Sequence, residues 1–117
     1  MNDYRIISTN ILTHLKEVRL YDDTVEHVKD EHPEVPIELP SVRDAIERAV
    51  AMPTHVEASR TNPRSVVFVD ADSMNKGGDP LRVPVKMVEG TLSGRVQTAY
   101  FGSTSSSVTV VWVRGNV

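Results

Sequence analysis

The sequence predicts an α+β domain in which two or three N-terminal helices pack on a C-terminal antiparallel sheet of about four strands. Two observations support this prediction. Apolar residues recur at helical spacing before residue 53, and they alternate at strand spacing after residue 65. Short turn-forming segments separate the later strands, so we expect hairpins. The length of 117 residues fits one domain, residues 1–117.

The helical half is best defined at residues 41–51, where Ser41 is a suitable N-cap. One apolar stripe follows at helical spacing: Val42, Ala45, Ile46, Ala49 and Val50. A second helix is predicted from Asp22 or Asp23 to residue 32, ending before Pro33. Three prolines in residues 33–40 predict a stiff, extended connector. The first 20 residues are ambiguous and fit strands at 5–9 and 18–20 with a helical turn at 10–16.

Four segments of the second half predict strands, at residues 65–71, 81–87, 94–101 and 108–113. In the second of these, Pro84 indicates an edge strand or a bulge, because proline cannot donate to a ladder. The segments between the strands are rich in small and polar residues and predict a loop and two turns, at residues 72–80, 90–94 and 102–107.

Composition excludes several classes of protein. The chain has no cysteine, which rules out disulfides, thiolate zinc sites and cysteine nucleophiles. No apolar run approaches the roughly 18 residues that span a bilayer, so no membrane partner is expected. The first residues lack a signal-peptide pattern, and we expect a cytoplasmic protein. The net charge is −3, with −5 in residues 1–53 and +2 in residues 54–117. The second half is therefore better suited to an anionic ligand, although ordinary scatter of surface charge also explains the difference.

Two histidines stand out as acid–base candidates, because imidazole titrates near neutral pH. His27 and His32 are five residues apart, so they do not form the i, i+4 metal pair of a helix. Asp23 lies one turn before His27 and Glu31 one turn after it, and a carboxylate at that spacing can orient an imidazole. Solvent-facing or capping histidines are the alternative. No metal site and no cofactor are predicted.

Phosphate-binding chemistry is suggested by Ser59, Arg60 and Arg64, which lie between the last helix and the first strand of the sheet. A hydroxyl beside guanidinium groups can hold a phosphate, although a polar loop has the same composition. Thr98 and Tyr100 share one face of a predicted strand. They would line a site if that face opens into a cleft.

Several segments resemble one family. Residues 27–34 read His-Val-Lys-Asp-Glu-His-Pro-Glu, similar to "His-Ile-x-x-x-His-Pro-Glu". Residues 53–59 resemble "Pro-x-x-Ile-x-x-Ser", and residues 96–100 read Val-Gln-Thr-Ala-Tyr, similar to "Val-Val-Thr-Ala-Tyr". In this order, over residues 17–104, the segments resemble the phage-associated barnase/EndoU/colicin/RelE-like nuclease family (BECR-type fold).

This resemblance implies a toxin-like, metal-independent endoribonuclease of phage or mobile-element type, in which the RNA 2′-OH attacks the adjacent phosphate. Carried onto this sequence, His27, His32 and Thr98 become the catalytic residues. Ser59 and Tyr100 contact the substrate, and the chemistry of the loop adds Arg60 and Arg64. The expected partner is RNA, and the expected protein partner, if there is one, is an antitoxin, an immunity protein or another protein. The alternative function is a non-catalytic protein-binding module, such as an inhibitor, immunity or phage accessory protein, that binds a protein through an open sheet edge.

Overall fold

The computed structural model describes residues 2–103 and 107–115. Within these residues the chain forms three short helices: α1 (Asp22–Glu31), α2 (Glu34–Glu38) and α3 (Val42–Ala51). The strands are β1 (Tyr4–Leu12), β2 (Leu15–Tyr21), β3 (His55–Ala58), β4 (Ser65–Met74), β5 (Pro80–Met87), β6 (Ser93–Val96), β7 (Tyr100–Phe101) and β8 (Val110–Val113).

The strands form one curled mixed sheet in the order β1-β2-β6-β5-β4-β3-β8. The short β7 pairs with β5 beyond the end of β6. Strands β2 and β6 are parallel, whereas the other pairs are antiparallel. The predicted fold, helices packed on an antiparallel sheet of about four strands, is therefore wrong. The sheet is the larger part of the molecule, and it begins at the N-terminal side of the helices.

The main error lies in the first 21 residues, which form the β1–β2 hairpin rather than short strands around a helical turn. β-branched residues suit an extended backbone here, and burial alternates along β1, with Ile7 and Thr9 buried and their neighbours exposed. The register between the two strands shifts between Ser8 and Leu12, which marks a bulge. That irregularity interrupts the period-two pattern and obscures the strand in the sequence.

The two longer helices lie where the sequence predicted them, but their caps differ. Ser41 precedes α3 without a side-chain capping bond, and the residue before α1 is Tyr21 rather than an aspartate. Residues 34–38 are helical, so the extended connector predicted for residues 33–40 is wrong. Pro36 is tolerated because it is the third residue of α2, and the first N–H groups of a helix have no intrahelical acceptor.

The helices cover one face of the sheet, which we call the covered face. The predicted stripe of α3 is buried there in full. Apolar side chains of the central strands meet the helices on this face: Val56, Val66, Phe68, Leu81, Val83, Val85 and Val96. Along β5 these alternate with Arg82, Pro84 and Lys86, which point to the opposite, open face, as the alternation predicted.

The predicted strands at 65–71 and 81–87 are confirmed as β4 and β5, and the last strand is β8. The strand predicted at 94–101 is instead divided into β6 and β7. Strand β5 is interior, so the expected edge position of Pro84 is wrong; the proline lies where the partner strand breaks, and its carbonyl accepts from Gln97 N–H. The turn predicted at 102–107 includes residues 104–106, which lie outside the described residues.

Among the helices that the structure describes, none is both long enough and apolar enough to cross a membrane.

Candidate functional site

A cleft of about 360 Å³ opens on the open face of the sheet, between the β3–β4 connection and β7. Strand alternation builds its floor, because Val56 points into the core and Glu57 points the other way. Arg82 of β5 projects from the same face. Its lining includes Glu57, Ser59, Arg60, Ser65, Arg82, Gln97 and Tyr100.

A buried ion pair forms the floor of the cleft. Arg82 Nη2 donates to Glu57 Oε1 at 2.5 Å, and Arg82 Nη1 donates to Glu57 Oε2 at 3.2 Å. His55 Nε2 lies 2.7 Å from Glu57 Oε2. Glu57 is only 1 % exposed and Arg82 8 % exposed. This two-pronged geometry fixes the guanidinium plane, as expected for a bidentate carboxylate–arginine pair.

Tyr100 is the second neighbour of Arg82, since the two residues are directly opposite each other in the β5–β7 ladder. Burial by itself would lower the pKa of Arg82. The hydrogen bonds with Glu57 and Tyr100 and the charge of Glu57 outweigh burial, so the pKa of Arg82 lies above its usual value. The guanidinium therefore stays positively charged, and the Glu57 carboxylate that it contacts balances this charge.

One of the two predicted catalytic histidines, His32, lies next to Tyr100, and the other, His27, lies next to His32. The rings of His27 and His32 have centroids 6.3 Å apart in an edge-to-face arrangement, and those of His32 and Tyr100 are 5.8 Å apart. His32 follows α1, where its Nδ1 lies 3.5 Å from a carboxylate oxygen of Glu34. His27 lies on the exposed side of α1. The structure thus brings together three of the residues predicted from the sequence, and the row ends at the cleft.

Ser59 and Arg60 also lie at the cleft, as the phosphate-binding hypothesis requires. The Ser59 hydroxyl oxygen accepts from the backbone N–H groups of Thr61 and Asn62, at 3.4 and 3.3 Å. The serine therefore shapes the loop after β3, a recognised role of serine in turns. Arg60 is exposed at the rim of the cleft.

Arg64 and Thr98 are placed differently. Arg64 Nη2 forms an ion pair of 2.8 Å with Glu89 Oε2, and the side chain lines another depression, beside His14 and Met87. Thr98 lies in the break between β6 and β7, and its Oγ1 is buried without a hydrogen-bond partner among the described residues. For Thr98 to touch a phosphate, the β6–β7 segment would have to open locally.

Sequence reasoning did not select Glu57, Arg82 or His55 as site residues. One signal was present: in the segment His55-Val56-Glu57-Ala58 the two polar side chains share a strand face, opposite the apolar Val56. The partner of Glu57 could not be found this way, because Arg82 lies 25 residues further along the chain. Their meeting depends on the order β5-β4-β3, which places β4 between the two strands.

Chemically, the cleft and its neighbourhood offer cations, hydroxyl groups and the three imidazoles of His27, His32 and His55. The guanidinium groups of Arg82 and Arg60 suit an anion such as a phosphate. The imidazoles suit proton transfer. Within the described residues, no group of three or more His, Asp or Glu side chains is placed to hold a metal ion.

Comparison with known proteins gives no match to any family model, curated protein or solved structure.

Proposed function

We propose that this chain is a metal-independent endoribonuclease whose active site is the cleft on the open face. One observation carries the proposal: a row of side chains runs from His27 through His32 and Tyr100 to the buried pair of Arg82 and Glu57. Acid–base groups and a fixed cation are the two requirements for cleaving a phosphodiester through its own 2′-OH. The resemblance of residues 17–104 to a nuclease family supports the same reaction.

In this reaction His32 accepts the proton of the 2′-OH. The 2′-oxygen forms a bond to phosphorus, and the bond from phosphorus to the 5′-oxygen breaks. His27 protonates the leaving 5′-oxygen, so the products are a 2′,3′-cyclic phosphate and a 5′-hydroxyl. The arrangement supports these roles because His32 contacts the cleft residue Tyr100, and His27 is the next ring in the row.

The phosphate is held by Arg82 and Arg60 in this proposal. Glu57 holds the Arg82 guanidinium in one orientation through two hydrogen bonds. The guanidinium therefore does not have to reorient when negative charge develops in the transition state. Ser59 positions the loop that carries Arg60. With cellular RNA as substrate, we place the protein in the cytoplasm.

The test is cleavage of total RNA and of a defined single-stranded RNA by the purified chain in EDTA. We expect His32→Ala and His27→Ala each to lower the rate by about 10²-fold or more, which is usual for loss of an acid–base residue. His14→Ala is the matched control, because His14 is an exposed histidine in the β1–β2 turn. It should retain full activity.

Three outcomes would count against the proposal. Equal cleavage by the parent chain and both histidine variants would indicate a contaminant or a different acid–base pair. A loss in His14→Ala of the same size would show a general effect of histidine removal. No cleavage of either RNA by the folded parent chain would leave the non-catalytic alternative.

That alternative, a protein-binding module, is favoured by one feature of the fold. Strand β8 is at the edge of the sheet and pairs only with β3 among the described residues. Three of its valines are exposed, Val110, Val111 and Val113. An open edge with apolar side chains can accept a strand from a partner such as an antitoxin or inhibitor.

A further inference from the structure

Three cations lie side by side on the open face, on adjacent strands. Arg19 of β2 is in register with Arg95 of β6, and Arg95 is in register with Lys86 of β5. Residues in register point to the same face, so the three side chains form one line across the sheet, about 10 Å long at ordinary strand spacing. We call this line the cation row.

No ion pair among the described residues balances the charges of the cation row. None of its three members forms an ion pair within the described part of the chain. The nearest acid by register is Glu17, two residues before Arg19 on the same face, opposite Ser93. Like charges directly opposite each other destabilise a sheet. In a chain of net charge −3, such a departure from the local rule indicates a functional surface.

The cation row is continuous with the cleft. Ser65 of β4 is in register with Lys86, and its hydroxyl lies 3.3 Å from Gln97 Oε1. Gln97 lines the cleft, and it also lines a second depression of about 470 Å³. That depression contains Arg95 and Tyr21. A chain-like ligand that leaves the cleft past Gln97 therefore meets the cation row at Arg95.

Aromatic rings flank the far end of the cation row. Tyr21 and Tyr4 are cross-strand partners with ring centroids 5.1 Å apart. The Arg19 guanidinium lies 4.7 Å from the centre of the Tyr4 ring. Tyr4 is exposed and Tyr21 is half-buried. Cations that follow a backbone, combined with aromatic rings on which bases stack, are the usual means of holding single-stranded nucleic acid.

We propose that the cation row and Tyr21 form an extended binding track for single-stranded RNA, which leads the strand into the cleft. This inference rests on the proposed ribonuclease function and adds its substrate class: an unpaired strand that crosses β5, β6 and β2. A duplex presents its bases to each other rather than to Tyr21, and so uses only the phosphate contacts.

The experiment measures binding without cleavage. A fluorescently labelled 2′-O-methyl oligonucleotide of about 12 nucleotides serves as the probe, since it lacks the attacking hydroxyl. The double variant Lys86→Gln/Arg95→Gln is compared with Lys29→Gln/Lys76→Gln, which removes the same charge from α1 and from the β4–β5 turn. We expect the first variant to bind at least 10-fold more weakly and the second to stay within about 2-fold of the parent chain. For Lys86→Gln/Arg95→Gln, the slope of log binding constant against log salt concentration should become shallower by about 1.4, because two phosphate contacts are lost.

Tyr21→Ala tests the stacking part of the track. We expect about a 10-fold loss for the single strand, within the range for one stacked base. A duplex of the same sequence should show no such loss. Circular dichroism of each variant, matched to the parent chain, confirms that the fold is retained.

Several results would overturn the track. Equal weakening by the two double variants would mean that net charge alone governs binding. Equal competition by a poly-glutamate peptide of matched charge would favour an acidic protein as the partner. Equal affinity for duplex and single strand would remove the role of Tyr21.

The ribonuclease and the track can fail separately. If the parent chain binds the probe through the cation row but cleaves no RNA, the track stands and the ribonuclease fails. If cleavage depends on His27 and His32 while Lys86→Gln/Arg95→Gln binds normally, the ribonuclease stands and the track fails.

Discussion

The covered and open faces of the sheet both contain fully buried side chains, but different forces keep them buried. On the covered face, Phe68, Leu81 and Ile46 of α3 belong to one apolar core, and apolar area removed from water stabilises them. On the open face, Glu57 and Arg82 lose their hydrogen bonds with water. Only the hydrogen bonds between the two side chains and those with their polar neighbours compensate for this loss. The first kind of burial tolerates changes of partner, whereas the second requires particular atoms at particular distances.

This difference bears on function. A guanidinium held in one orientation in a cleft can meet an anion without reorganising, which is the property a transition-state site needs. The apolar face contributes indirectly, by fixing the strands that carry the two partners. If the proposed function holds, variants of the buried pair on the open face should alter both activity and stability, and variants on the covered face should alter stability alone.

The largest effect is expected at the buried pair. In Glu57→Leu the charge of Arg82 is left without its carboxylate, and removing one partner of a buried pair costs about 3 kcal/mol of unfolding free energy. Urea unfolding at about pH 7 measures this loss. The pKa of Arg82 is higher in the folded protein than in the unfolded chain. The pair therefore contributes its full stabilisation at any pH below the unfolded pKa, and this contribution is lost only as the pH rises through the folded pKa. Unfolding at neutral pH thus measures the whole contribution of the pair.

Two controls sharpen this result. Glu89→Ala breaks the exposed pair with Arg64 and should cost less than about 1 kcal/mol. The double variant Glu57→Leu/Arg82→Leu should recover part of the stability, because no unpaired charge remains. If Glu57→Leu is no less stable than Glu89→Ala, the distinction between the two kinds of burial is wrong.

On the covered face, the sharpest test is Gly94. A Cβ built there lies 3.0 Å from the Lys86 carbonyl oxygen, 3.0 Å from Val85 Cγ1 and 3.1 Å from Leu15 Cδ1. Since a backbone atom is among these neighbours, Gly94→Ala should cost about 2 kcal/mol through overpacking. Chemical unfolding checks the value. Gly115→Ala, which meets nothing within 4 Å, should be neutral, and equal costs for both variants would argue against the packing explanation.

The sequence predicts the local parts of this molecule well. Helix α3 and strands β4 and β5 follow from periodicity, because their apolar residues face one core. The hairpin at residues 4–21 was missed, since its bulge disrupts the alternation that identifies strands. The parallel pairing of β2 with β6 was beyond reach for another reason. It joins segments separated by the three helices, and no local pattern encodes it.

The candidate site likewise contains residues that local sequence patterns identify and residues that only the strand pairing brings together. His27, His32 and Tyr100 were selected from the sequence, and the structure places them in one row. Glu57 and Arg82 become partners only through the strand order. The cation row is the clearest case of residues that only strand pairing brings together. Arg19 belongs to the acidic half of the chain, and the register of β2 with β6 places it beside Arg95.

The smallest expected effect is the change in stability caused by Arg95→Gln. Whether the urea midpoint rises or falls shows whether Arg95 supports the fold. Arg95 is opposite Arg19 on one side and Lys86 on the other, so Arg95→Gln removes two repulsive contacts. We expect the urea midpoint at low salt to stay level or rise slightly, and the difference to vanish in 0.5 M salt because screening already weakens the repulsion. Lys76→Gln, in the β4–β5 turn, is the control and should show no salt-dependent difference. A clear fall in the Arg95→Gln midpoint would show that the arginine supports the fold. A level or higher midpoint together with weaker RNA binding would mean that the fold carries this charge for its ligand rather than for its own stability.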